Sequence, residues 1–97
     1  MATLVLLEAK ARAGSVEPMR KFLGERLPET RAFDGCRDIT ACLSSEDGRT
    51  FVFVEHWDSS EHYEKYLAWR TETGVLKELE SMIEGAPLIR HFEELDL

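Results

Sequence analysis

Apolar and polar positions alternate with a period of two in four stretches of this chain and recur at helical spacing in three others. From Thr3 to Ala11, Val5, Leu7, Ala9 and Ala11 fall on one face of a strand and Leu4, Leu6, Glu8 and Lys10 on the other. From Arg49 to Trp57, Phe51, Phe53, Glu55 and Trp57 share one face and Val52, Val54 and His56 the opposite one. Both strands are apolar on both sides for much of their length, so both sides require cover. Cys36 to Ser44 and Pro87 to Glu94 supply two further strands, and Asp47-Gly48 marks a hairpin between the second and third.

The helical stretches lie between these strands. Ser15 is an N-cap for a helix in which Val16, Met19, Leu23 and Leu27 recur, and Pro28 is expected to bend or end it. Asp58 followed by Glu61 resembles a capping box for a second helix, with Tyr63, Tyr66 and Leu67 as its buried stripe and Arg70 at the end. Val75, Leu76, Leu79, Met82 and Ile83 make a third helix that stops near Gly85. The predicted order is β-α-β-β-α-α-β, an α+β, ferredoxin-like arrangement with a four-stranded antiparallel sheet and helices on one face. No low-complexity linker or internal repeat interrupts it, so residues 1–97 read as a single domain. Helices cover one apolar face only, and a second copy of the same sheet is the simplest cover for the other. A homodimer is expected on that ground alone.

Charge narrows the partners. With 19 acidic against 12 basic residues the net charge is −7, which argues against nucleic acid and anionic membrane surfaces as partners. No apolar run approaches the ~18 residues a membrane helix needs, and the start of the chain lacks the pattern of a secretory leader, so the cytoplasm is the expected location. Cys36 and Cys42 fall in one predicted strand, about 20 Å apart, beyond disulfide reach. They are expected to be reduced, unbridged and, by strict alternation, on one face. Neither Cys-x-x-Cys nor His-x-x-x-His spacing occurs, so no metal site is expected.

Three segments carry a resemblance: Leu4 to Gly14 followed by a helix; Thr30-Arg31-Ala32-Phe33-Asp34-Gly35-Cys36; and Phe53-Val54-Glu55-His56-Trp57 followed by a helix. In this order and spacing the chain resembles the antibiotic biosynthesis monooxygenase (ABM) domain of the dimeric α/β-barrel superfamily over residues 3 to 94. The second segment is similar to the family's Thr-Arg-x-x-x-Gly-Cys turn, and the third to its Glu-Arg-Trp strand end with His56 in place of Arg. The resemblance implies a homodimeric barrel of two sheets with an apolar pocket between sheet and helices. It also implies a reaction class, since some members oxidise phenols or quinols to quinones with O2 and no metal or flavin. Others degrade haem, and the fold alone does not choose between them. The His that the family often carries nine residues after the Trp is here Tyr66, and Leu7 and Phe53 stand where oxygenase members show Asn. Haem degradation is thereby disfavoured.

Oxidising a phenol without a cofactor requires a base to remove its proton and a dry cavity to hold the resulting anion near O2. His62, His91, Tyr66 and Glu55 are candidates for that base, with His62 the first choice because an imidazole titrates near neutral pH. Tyr66 is the expected orienting donor. Trp57, Tyr63, Tyr66 and Trp69, with Phe53 and Glu55 on the strand, are the expected walls for a small aromatic ligand. A non-catalytic small-molecule-binding or accessory protein with the same pocket is the alternative.

Overall fold

The computed structural model describes residues 2–97. Its elements are β1 (Thr3–Ala11), α1 (Val16–Arg31), β2 (Cys36–Leu43), β3 (Thr50–Trp57), α2 (Ser60–Glu72), α3 (Val75–Ser81) and β4 (Ile83–Glu93). The sheet is antiparallel in the order β2-β3-β1-β4, so the two strands that are apolar on both faces occupy its centre. This is the ferredoxin-like β-α-β-β-α-α-β arrangement that the alternation predicts.

Val5 pairs with Glu55 and Leu7 with Phe53, which aligns the two inward-facing rows. Those rows and the helices form the core: Val5, Ala11, Met19, Trp57 and Ile83 are fully buried, and Leu7, Leu23, Phe53, Tyr63 and Leu79 nearly so. Leu4, Leu6, Val52 and Val54, on the other face, are only half-buried, and Leu88 and Phe92 of β4 are exposed.

Several boundaries depart from expectation. Pro28 does not end α1, which continues to Arg31. A proline inside a helix removes one backbone bond, yet tertiary contacts hold this last turn: Arg70 donates to the Arg26 carbonyl at 2.8 Å and Arg31 to that of Ile39 at 3.3 Å. Helix α2 is capped by Ser59, whose hydroxyl accepts the His62 N–H, whereas Asp58 pairs with Arg37 at 2.7 Å. Ile83 opens β4 instead of closing α3, because its side chain enters the core beside Ala11.

A bulge separates the cysteines. Cys36 lies opposite Trp57 but Asp38 lies opposite His56, so one extra residue enters β2 and reverses the alternation. Cys36 therefore faces the helices, packed with the Trp57 cluster, and the exposed Cys42 faces the open side across from Val52. Both thiols are free. Their expected placement on one face is incorrect because strict alternation takes no account of the bulge.

Candidate functional site

Strand β3 delivers a carboxylate into the core. Alternation that buries Phe51, Phe53 and Trp57 also buries Glu55, which is 2% exposed. Its Oε1 accepts the indole N–H of Trp57 at 3.1 Å. No Lys or Arg forms an ion pair with it among the described residues. Burial raises its pKa from 4.5 to about 7, and the Trp57 hydrogen bond offsets only part of that.

Glu55 opens onto a cavity of about 50 Å³ between the sheet and the helices, walled by Leu7, Leu23, Leu27, Ile39, Phe53, Tyr63 and Leu67. Tyr66, Thr30, Arg26 and Arg70 line the same space. Arg70, 4% exposed, is placed by its position one helical turn after Tyr66 on the buried stripe of α2. Its Nε donates to the Tyr66 hydroxyl at 2.9 Å and one Nη to Thr30 Oγ1 at 3.0 Å. The guanidinium also donates to Glu29 at 3.3 Å and lies 4.5 Å over the Trp69 ring. Thr30 and Tyr66 share a 2.7 Å hydrogen bond. Burial raises the Tyr66 pKa, and the bonds from Arg70 and Thr30 pull against it. Burial raises that of Tyr63 strongly, so neither phenol supplies an anion at neutral pH.

Of the residues expected at the site, Phe53, Glu55, Tyr63 and Tyr66 line the cavity. Trp57 sits behind it, fully buried, and orients Glu55. Trp69 is outside: half-buried, it stacks on Phe33 at 5.2 Å, and both rings pack against Tyr66. His62 is not brought to the cavity. Its ring bonds Ser59 Oγ at 2.7 Å, and a Cβ at Gly35, whose φ is +90°, would run into it. His62 thus closes the first turn of α2 over Gly35. His91 is exposed and meets the Tyr63 ring edge-on at 5.3 Å.

Thr30 and Arg26 also line the site without a motif that marks them in the sequence, and Arg70 reads there only as the end of the α2 stripe. The signal available was the spacing Tyr63, Tyr66, Arg70, which places a guanidinium on an otherwise aromatic helix face.

A ferredoxin-like sheet with an aromatic, part-polar cavity beneath its helices defines a class of small α+β proteins. The chain belongs within it to the antibiotic biosynthesis monooxygenase family, whose profile matches residues 3–72. A Deinococcus radiodurans protein whose name places it among the antibiotic biosynthesis monooxygenases superposes with a TM-score of 0.86 at 21% identity, covering 98% of this chain and 94% of the other. A conserved protein from Methanosarcina mazei gives 0.89 at 14% identity over the same fractions. A Nitrosomonas europaea protein of unknown function gives 0.82 at 18% identity, over 99% of this chain and 91% of the other. These likenesses concern the fold. No curated protein sequence matches the chain. No helix among the described residues is long and apolar enough to cross a membrane, and no group of three His, Cys, Asp or Glu side chains there could hold a metal ion.

Proposed function

We propose that the protein is a cofactor-independent monooxygenase that oxidises a phenolic or quinol-like aromatic with O2, with Glu55 as the base. The observation that carries this reading is the buried carboxylate facing a mostly apolar cavity and held in no ion pair among the described residues, its pKa near 7. A base is most effective when its pKa lies close to the working pH. Family membership supports the reaction class. For a phenol with a free para position, ArOH and O2 give a para-quinone and water. Glu55 takes the phenolic or ring proton, the resulting anion reduces O2, one oxygen atom enters the ring and the other leaves as water.

The unfilled cavity is well below the ~300 Å³ of an ordinary ligand pocket. An aromatic ring therefore enters only as the walls separate. The small volume favours one alternative, a non-catalytic protein that binds a single small ring. The reading also includes a homodimer formed through the open sheet face, supported by the exposed Leu88 and Phe92 and the half-buried Leu4, Leu6, Val52 and Val54. Oxygen uptake across a panel of hydroquinones and polyphenols tests the activity. Uptake that is lost in Glu55→Gln while ligand binding persists is the expected result. No uptake with any bound electron-rich aromatic selects the binding-protein alternative.

A further inference from the structure

The polar groups of the cavity are unevenly distributed. Glu55 comes from the sheet, while Arg26 and Thr30 of α1 and Tyr66 and Arg70 of α2 come from the helices. Four guanidinium bonds of Arg70 are already directed, to Tyr66, Glu29, the Arg26 carbonyl and Thr30, which fixes the fork. Thr30 Oγ1 accepts from Arg70, and its own proton has two acceptors within reach: the Arg26 carbonyl at 3.5 Å and Tyr66 at 2.7 Å. When it turns to Tyr66, that phenolic oxygen accepts from both Arg70 and Thr30, and its single proton is released to a cavity ligand. Arg26 adds a second donor, for its Nε is buried without a partner among the described residues. The outer faces of both arginines are held by Glu29, and that of Arg26 also by Glu78.

We propose that Tyr66, Arg70 and Arg26 form an oxyanion cradle that recognises the acidic oxygen of an aromatic ligand, with the Thr30 hydroxyl as the rotor that frees the Tyr66 proton. The cradle makes the site selective for a phenol over its ether, since an ether oxygen carries no proton to yield and no developing charge for two guanidinium groups to stabilise. This deepens the oxygenation reading by fixing where the substrate oxygen is held, but the cradle itself is a binding property independent of turnover.

The test compares 4-fluorophenol with 4-fluoroanisole by ¹⁹F NMR titration of the full chain under nitrogen, where no oxygenation occurs. The wild-type protein is expected to bind the phenol about tenfold more tightly or better, the worth of one charge-assisted hydrogen bond. In Tyr66→Phe the two probes should bind within about twofold of each other, and Arg70→Lys should fall between. A purely structural role for these residues would weaken both probes alike and leave the preference intact, which would overturn the proposal. Equal affinity in the wild-type protein, or no binding of either probe at millimolar concentration, would overturn it without recourse to any variant. Selective phenol binding combined with no oxygen uptake would leave the cradle standing and refute the oxygenation reading. Uptake without selectivity would do the reverse.

Discussion

The two faces of the sheet are made from alternate residues of the same four strands, yet only one is closed by this chain. Beneath the helices Val5, Trp57 and Tyr63 are at most 1% exposed, and the face tolerates a carboxylate and a guanidinium because it supplies hydrogen bonds to each. On the open face the apolar residues of β1 and β3 remain half-buried, and its polar members find partners near the edge: His56 bonds Asp38 at 2.6 Å and lies 3.8 Å from Glu94. The covered face builds a site and the open face leaves a surface unfinished. In the proposed function, chemistry belongs to the face from which water is excluded and assembly to the open one.

The largest expected effect breaks the covered face. Trp57→Ala removes a fully buried indole and, among the described residues, the only side-chain donor to Glu55, and should cost about 3–5 kcal/mol in urea unfolding. Leu6→Ala, on the other side of the adjacent strand and only half-buried, should cost less in the monomer.

Glu55→Gln sharpens the comparison through pH. The folded pKa of Glu55 is raised above the unfolded value, so between 4.5 and about 7 the unfolded chain binds fewer protons and stability falls as pH rises. The span corresponds to about 3 kcal/mol as an order of magnitude. Urea midpoints of the wild-type protein should decline from pH 4.5 to 7 relative to the Gln variant, which should exceed it above pH 7. With Glu55 as the proposed base, turnover should rise over the upper part of that window with a midpoint near 7. A constant difference between the two proteins across pH would show that Glu55 is not buried as an acid.

Much of this contrast is legible in the sequence, and the failures have distinct physical causes. The two-sided alternation of β1 and β3 identifies the central strands, both faces and the inward Glu55, because a period of two is fixed by backbone geometry. The placement of His62 is not legible. Nothing local reveals that Gly35, 27 residues earlier and so roughly 90 Å away along a fully extended chain, would lie against its ring. Pro28 misleads because propensity cannot see the Arg31 and Arg70 bonds that hold the last turn of α1. The Arg70 hydrogen-bond network depends on Thr30 of another helix, and only the packing of α1 on α2 brings the two together.

On the open face, Leu6→Asp should leave the covered core intact, as near-ultraviolet circular dichroism of Trp57 and Tyr63 would report, while converting a dimer to a monomer by light scattering. A wild-type protein that is already monomeric at micromolar concentration would refute the proposed assembly.

The smallest effect concerns the two thiols, which the β2 bulge sends to opposite faces. Burial is the main reason that the Cys36 pKa rises from 9.0 to about 11, with Glu55 and Asp38 adding to it, so its thiolate population falls about a hundredfold at a given pH. Cys42 is exposed in the single chain, on the side where a partner sheet would lie. Labelling with a chromogenic disulfide at pH 8 should therefore give one fast thiol in monomeric Leu6→Asp, lost in the additional change Cys42→Ser. Cys36 should react only on the timescale of unfolding. In the proposed wild-type dimer the same Cys42 should be slower than in Leu6→Asp, because covering the open face removes access without altering the core. Equal Cys42 rates in the two proteins would mean that the partner covers some other part of the face. Two fast thiols would mean that β2 lacks the bulge that separates the site from the surface.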